Sequence, residues 1–83
     1  MKVTVRYFAA IRETIGLGTE QVQTQSLTVA ALREELRSRG GAYAEALAPG
    51  RAVRMALDQV LCEPTMPLHD GCELAFFPPV TGG

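Results

Sequence analysis

Residues 72–83 read Cys-Glu-Leu-Ala-Phe-Phe-Pro-Pro-Val-Thr-Gly-Gly, and the first half of this stretch decides the fold. Its alternate positions Cys72, Leu74 and Phe76 are apolar, a period typical of a strand with one face in a core. The two prolines that follow Phe77 end the strand, because proline cannot donate a hydrogen bond to a sheet. A buried strand followed by a short extended tail is therefore predicted.

A second apolar strand is predicted near the start of the chain. Lys2 to Phe8 also alternates, and Val3, Val5 and Tyr7 share one face. These two strands are the most apolar in the sequence, which suits neighbouring positions at the centre of a sheet. We expect them to run side by side in parallel.

The residues after the first strand predict a hairpin with a long loop. Ala9 to Ile15 is suited to one or two turns of helix, which Gly16 and Gly18 stop. Thr19 to Thr24 is a weaker strand. The gap is short enough for it to pair antiparallel with the first strand.

One main helix is predicted to begin after Thr28, whose hydroxyl can accept a hydrogen bond from a free amide of the first turn. Its apolar stripe consists of Val29, Leu32 and Leu36. Glu35 and Arg39 are four residues apart, in the favourable order for an ion pair. Gly40-Gly41 is expected to end the helix.

The second half of the chain predicts shorter elements. They are a helical turn at Ala42–Ala48, strands at Ala52–Leu57 and Val60–Cys62, and turns at Pro49-Gly50, Asp58-Gln59 and Asp70-Gly71. The order β, β, α, β, β, β predicts an α+β fold, the ubiquitin-like β-grasp, with a mixed five-stranded sheet and one main helix across one face. Residues 1–77 are assigned to this domain and residues 78–83 to a tail.

Size and charge exclude several classes of function. The chain has 83 residues, of which 47% are hydrophobic and 20% charged, enough for one folded domain with a thin core. The net charge is −1 and the arginines are scattered, so no basic face for nucleic acid is predicted. No apolar stretch reaches the length of a membrane span and the N-terminus alternates, so we expect a cytoplasmic protein without a membrane or signal segment.

A metal hypothesis rests on the side chains of Cys62, His69, Asp70 and Cys72. They lack the paired spacing of a zinc site, and the two cysteines make no disulfide framework. We therefore predict no metal, no bound cofactor and two thiols that pack like small apolar groups. His69, beside a turn, is expected to be exposed to solvent.

The tail carries the clearest functional signal. Pro78-Pro79, Val80 and Thr81 favour an extended path, and the six tail residues reach roughly 20 Å. Gly82-Gly83 has no side chains and can enter a slot too narrow for other dipeptides. This pattern indicates a carrier whose working group is the α-carboxylate of Gly83. A frayed chain end is the plainer alternative.

Strand parity predicts an exposed apolar patch near the tail. If Tyr7 and Phe76 face the core, Phe8 and Phe77 face away from it on neighbouring strands. Leu61 on the short strand can join them. Contiguous exposed apolar surface usually marks a partner-binding site, and the alternative is that a loop covers one or both rings.

A set of short motifs spans the sequence. They are Phe8-Ala9, Arg12-Glu13, Gly16, Thr28-Val29, Leu32, Pro67-Leu68, Asp70-Gly71, Glu73 and the closing segment Ala75–Gly83. Together they resemble the family of small, sulfur-carrier subunits of molybdopterin synthase over essentially the whole chain. Related carriers of the thiamine and transfer-RNA thiolation pathways also end in Gly-Gly, but usually lack the Phe-Phe-Pro-Pro-Val lead-in.

The resemblance implies a chemistry for the tail. An E1-like adenylyltransferase uses ATP to convert the Gly83 carboxylate to an acyl-adenylate, and sulfur from a sulfur donor enzyme displaces AMP to leave a thiocarboxylate. The tail then enters a large catalytic subunit and donates sulfur to cyclic pyranopterin monophosphate, which forms the molybdopterin dithiolene. The small subunit itself is implied to be non-catalytic, within a heterotetramer that has two copies of each subunit.

The resemblance also implies contacts for particular residues. Arg12 matches a position expected to contact the activating enzyme. The other partner-binding residues predicted from the patch and the tail are Phe8, Leu61, Phe77, Pro78, Pro79, Val80, Thr81 and Gly82. Two other functions stay open for the same tail: a ubiquitin-like modifier joined through Gly83 to lysines of other proteins, and a sulfur carrier for another pathway.

Overall fold

Five strands and three helices form the part of the chain that the computed structural model describes, residues 1–79. They are β1 (Lys2–Tyr7), α1 (Ala9–Ile15), β2 (Thr19–Gln23), α2 (Val29–Arg37), α3 (Gly41–Ala46), β3 (Arg54–Leu57), β4 (Val60–Leu61) and β5 (Glu73–Phe77). Each of these elements was predicted from the sequence, and the strands are one or two residues shorter than predicted. No helix within residues 1–79 is both long enough and apolar enough to cross a membrane.

The five strands form one mixed sheet in the order β2-β1-β5-β3-β4. The two central strands, β1 and β5, run parallel, with Val5 opposite Leu74 and Tyr7 opposite Phe76. The other pairs, β1 with β2, β3 with β5 and β3 with β4, are antiparallel. The prediction of a β-grasp with the first and last strands at its centre is confirmed.

The core lies between the inner face of this sheet and α2. The sheet contributes Val3, Val5, Tyr7, Leu74 and Phe76, with Cys72 just before β5, and the helix contributes Val29, Leu32 and Leu36, all essentially without exposed surface. The Tyr7 and Phe76 rings stack at 6.1 Å between centroids across the central strand pair. Burial of large apolar side chains is worth roughly 1.5–3 kcal/mol each, so this layer supplies most of the driving force for folding.

The main helix begins as predicted but ends earlier than the glycines suggested. The Thr28 hydroxyl accepts a hydrogen bond from the Ala31 amide at 3.2 Å, which confirms the N-cap. The helix ends at Arg37, and Ser38 is the C-cap in a right-handed conformation. Gly40 and Gly41, with φ of 77° and 54°, instead turn the chain into α3. Such positive φ angles favour glycine because it has no Cβ.

The predicted ion pair between Glu35 and Arg39 is wrong. Arg39 donates to the Glu20 carboxylate on β2 at 2.9 Å. Glu35 accepts hydrogen bonds from the hydroxyls of Thr24 and Ser26 instead. The pairing rule applies only within a helix, and α2 ends before Arg39.

Glu20 is the polar centre that joins three separate parts of the chain. Its carboxylate accepts from the Tyr7 hydroxyl of β1 at 2.8 Å and from the Tyr43 hydroxyl of α3 at 2.7 Å, in addition to Arg39. Burial opposes ionisation of Glu20, but these three donors outweigh it, so the pKa of Glu20 lies below its ordinary value. The pKa of the Tyr7 phenol lies above its ordinary value. Burial is the larger cause, and the hydrogen bond to the Glu20 carboxylate is the second.

Replacing this carboxylate should reduce stability in a pH-dependent way. We expect Glu20→Gln to lower the free energy of unfolding at pH 7 by about 2 kcal/mol, because hydrogen bonds to a charged group contribute roughly 1.5–3 kcal/mol. The folded pKa is depressed, so the contribution is present above the unfolded pKa of about 4.3 and is lost as the pH falls through the folded pKa. Urea unfolding at pH 7 and pH 3 measures both effects.

Glu45→Gln is the matched control for this measurement. Glu45 faces Arg51 at 3.7 Å, and both side chains are more than half exposed. An exposed pair of this kind contributes about 0.5 kcal/mol or less. Equal losses from the two substitutions, or a Glu20→Gln loss that persists unchanged at pH 3, would contradict the role given to Glu20.

Candidate functional site

The outward face of the sheet is fixed by the pairing of its strands. Residues that are direct cross-strand partners have side chains on the same face, and Arg6, Ala75, Ala56 and Leu61 form one such row across β1, β5, β3 and β4. This face is opposite to the one that carries Tyr7 and Phe76. The small side chains of Ala56 and Ala75 leave a depression in the middle of the face.

A groove of about 650 Å³ occupies this depression at the end where β5 leads into the tail. Its lining residues are Arg6, Phe8, Ala9, Ala56, Gln59, Glu73, Ala75, Phe77, Pro78 and Pro79. Phe8 is 37% exposed and Phe77 is half-buried, so the two rings lie together on the outer face and neither is sealed by a loop. The structure thus brings Phe8, Phe77 and the two prolines to one site, as strand parity predicted.

Local backbone contacts hold Phe8 at the edge of the groove. Its amide donates to the Phe76 carbonyl at 3.1 Å, which extends the parallel pairing by one residue. Its carbonyl accepts from the Arg12 amide at 3.3 Å, in the first turn of α1. Ala9 between them has φ of 52°, a left-handed conformation that is uncommon for a residue with a Cβ. The chain therefore turns sharply from strand to helix, and the Phe8 ring projects at the corner.

A charged pair lies inside this groove, whose other lining residues are apolar except for Gln59. Arg6 faces Glu73 across the central strands, with the closest nitrogen and oxygen atoms 3.9 Å apart. The guanidinium carbon also lies 5.0 Å from the centre of the Phe8 ring, in a cation–π arrangement. Arg6 and Glu73, with Ala56, Gln59 and Ala75, were not predicted as site residues. Extending the strand alternation from the buried positions to their neighbours would have found the four that lie on strands.

Leu61 and Arg12 lie beside the groove rather than in it. Leu61 is 60% exposed and belongs to the same cross-strand row, but it lines a separate depression with Cys62 and Met66. Arg12 borders a depression that shares Ala9 with the groove. Both side chains can therefore contact a partner that covers the groove and extends past its edges.

The tail begins at the groove. Pro78 and Pro79 are half-buried and follow directly on β5, so the chain leaves the domain at this end of the sheet. The predictions for Val80, Thr81, Gly82 and Gly83 lie outside the described residues. The site residues of the domain and the first residues of the tail thus form one continuous surface.

The cysteines and the histidine lie elsewhere and serve the fold. Cys72 is buried in the core, and the Cys62 thiol lies 3.6 Å from the Met55 carbonyl oxygen. Burial raises the pKa of Cys62, which makes it a poor nucleophile. His69 is exposed, as predicted, and pairs with Asp58 at 2.8 Å. Residues 1–79 contain no group of three or more side chains that could hold a metal ion.

Comparison with known proteins assigns the family. The model of the ThiS family matches residues 5–83. The chain belongs to the ThiS family. A relative from Escherichia coli (strain K12), the molybdopterin synthase sulfur carrier subunit, is 41% identical over 81 residues, which cover 98% of this chain and 99% of that protein. The resemblance stated from the sequence motifs is confirmed.

Solved structures give the same fold. A complex of subunits 1 and 2 of the molybdopterin-converting factor from Helicobacter pylori contains a chain that is 28% identical, with a TM-score of 0.70 and full coverage of both chains. SAMP1 from Haloferax volcanii is 24% identical, with a TM-score of 0.78 and full coverage of both chains. The second likeness shows the fold alone. The ubiquitin-like β-grasp is therefore common to this chain and to both of these proteins.

Proposed function

We propose that this chain is the sulfur-carrier subunit of a molybdopterin synthase. The observation that carries the proposal is the full-length likeness to the Escherichia coli sulfur carrier subunit, at 41% identity, in a chain that ends Phe-Phe-Pro-Pro-Val-Thr-Gly-Gly. The groove supports it, because an apolar surface beside the first tail residues is suited to docking on a partner that receives the tail.

The first step is activation of the Gly83 carboxylate. A resonance-stabilised carboxylate is a poor electrophile, so an E1-like adenylyltransferase consumes ATP: a carboxylate oxygen attacks the α-phosphorus and pyrophosphate leaves. The product is a mixed anhydride, the glycyl adenylate. The outer sulfur of a persulfide on the donor enzyme attacks its carbonyl carbon and AMP leaves, which gives an acyl disulfide. A second thiol then attacks the donor's own sulfur in that disulfide, so the donor is left oxidised as a disulfide and a thiocarboxylate remains on Gly83. The carrier binds no cofactor of its own in this scheme.

The second step is sulfur donation. A thiocarboxylate is ionised at neutral pH, and much of its negative charge lies on a soft, nucleophilic sulfur. The large catalytic subunit aligns this sulfur with cyclic pyranopterin monophosphate, and two rounds of transfer build the dithiolene of molybdopterin. The small subunit supplies the sulfur and its delivery, and the large subunit supplies the catalytic groups. Since the activation consumes ATP, we place the protein in the cytoplasm.

The described residues account for the delivery. The groove with Phe8 and Phe77 provides an apolar contact area, and Leu61 and Arg12 flank it on two sides. The two prolines have no amide donors and set a stiff path away from the sheet. Gly82 and Gly83 then allow close approach to the reacting centre. We propose that the large subunit binds this surface, in a heterotetramer with two copies of each chain.

The function is tested by reconstitution. The chain that carries a thiocarboxylate on Gly83 is incubated with the large subunit and the pterin precursor, and the product is analysed for the dithiolene. We expect stoichiometric conversion of thiocarboxylate to carboxylate together with dithiolene formation. Retention of the thiocarboxylate, with Gly83 found in isopeptide links to lysines when a cell extract and ATP are supplied, would favour the protein modifier instead.

The docking role of the groove is tested at Phe8. We expect Phe8→Ala to weaken binding of the large subunit roughly thirtyfold in Kd, about 2 kcal/mol, because large aromatic side chains buried in an interface carry much of its affinity. Calorimetric titration measures the Kd. Leu27→Ala is the matched control, since Leu27 is 70% exposed and lies outside the groove. Equal affinities for the two variants would contradict docking at this face.

A further inference from the structure

Arg12 packs directly against Gly18, where the lack of a side chain leaves room for it. A Cβ placed on Gly18 would lie 3.1 Å from the Arg12 Nε atom and 3.2 Å from its Cζ atom. Such distances are tighter than ordinary van der Waals contact. The guanidinium end of the Arg12 side chain therefore lies beside Gly18.

Both ends of this contact are fixed by the fold. The Gly18 carbonyl accepts a hydrogen bond from the Tyr7 amide at 2.9 Å, which joins it to β1. The Arg12 carbonyl accepts from the Gly16 amide at 2.8 Å at the end of α1. Gly16 has φ of 92°, a left-handed conformation that ends α1 and turns the chain toward β2. The Gly18 backbone beside the Arg12 side chain is thus part of the rigid domain.

The backbone at position 18 does not itself require glycine. Gly16, Gly40, Gly41 and Gly71 have positive φ angles, but Gly18 does not. An alanine at position 18 can therefore adopt the same backbone conformation. Its methyl group would crowd the Arg12 guanidinium, which is the far end of a flexible side chain and can move aside. A substitution at Gly18 should displace Arg12 at little cost to stability.

The Arg12 guanidinium has N–H donors that no carboxylate within residues 1–79 uses. Four arginines, Arg6, Arg37, Arg39 and Arg51, form ion pairs with carboxylates. Arg12 forms none within residues 1–79, and its side chain is exposed. It borders a depression lined by Ala9, Glu13 and Gly16, and Ala9 also lines the groove. Arg12 is therefore a cation without a carboxylate partner among residues 1–79, at the rim of the proposed docking surface.

We propose that Gly18 is a positioning residue: it holds the Arg12 guanidinium in the orientation that receives a carboxylate of the activating enzyme. The proposal rests on the proposed function and adds to it a residue that touches no reacting group. A planar guanidinium that is fixed in advance loses less side-chain freedom when it forms a bidentate pair. A bidentate pair also fixes the relative orientation of two proteins whose contact is otherwise mostly apolar.

The test compares Gly18→Ala with Gly50→Ala. Gly50 also lacks a positive φ, and a Cβ there would meet open space, so it is a matched control. We expect Gly18→Ala to raise the KM for the carrier in adenylation about tenfold with kcat unchanged, because an interaction that acts only in docking of the two proteins affects KM and not the chemical step. The increase should shrink at high salt, which screens a charged interaction. Gly50→Ala should leave KM unchanged.

A double-mutant cycle separates this role from a structural one. In an Arg12→Ala background, Gly18→Ala should change KM less than twofold, since the only group it displaces is already absent. A tenfold increase that persists in that background would overturn the proposal. So would an unchanged KM in the Gly18→Ala single variant. Thermal unfolding of each variant checks that the fold is retained.

A spectroscopic measurement needs no partner. In nitrogen relaxation experiments the Arg12 Nε–H group should be more ordered than that of Arg54, which is exposed on the outer sheet face, and Gly18→Ala should abolish the difference. An Arg12 Nε–H as mobile as that of Arg54 in the wild-type chain would overturn the positioning. If the activating enzyme does not adenylate the wild-type chain, the proposed function fails, and this measurement still decides whether Gly18 orients Arg12.

Discussion

The parallel pairing of β1 with β5 is the constraint on which the rest of this structure depends. It places the two most apolar strands side by side, so that Tyr7 and Phe76 stack inside the core. Strand alternation then forces their neighbours Phe8 and Phe77 to the outer face, and the same direction of β5 brings the tail out beside them. A single register thus fixes the core, the groove and the point where the tail leaves. A shift by one residue would exchange the inner and outer faces.

Features that depend only on neighbouring residues in the chain could be predicted from the sequence. The strands, the Thr28 cap and the outward Phe8 and Phe77 follow from alternation, capping chemistry and parity, and the structure places them as expected. Contacts between distant segments could not be predicted. Arg39 pairs with Glu20, nineteen residues away, because α2 ends before Arg39 and α3 folds back toward β2. The packing of Arg12 on Gly18 depends in the same way on a turn whose path no sequence period encodes.

The division between domain and tail explains why so small a protein can take part in demanding chemistry. Residues 1–79 supply a rigid sheet, an apolar groove with one charged pair and an arginine at its rim. None of these groups needs to activate a carboxylate or to transfer sulfur. In the proposed function those steps occur in the active sites of other proteins, and the carrier contributes only a terminal glycine that can reach them. The cysteines are consistent with this division, because one is buried in the core and the other has a raised pKa.

The central claim is that Gly83 carries sulfur, and the most direct measurement of it is the intact mass of the chain purified from cells that retain its activating enzyme. The account predicts a gain equal to the replacement of one oxygen by one sulfur, located by fragmentation to Gly83. It predicts no gain for the chain purified from cells that lack that enzyme. An unmodified mass from cells with the enzyme, with Gly83 recovered in isopeptide links to other proteins, would contradict the account and identify a protein modifier.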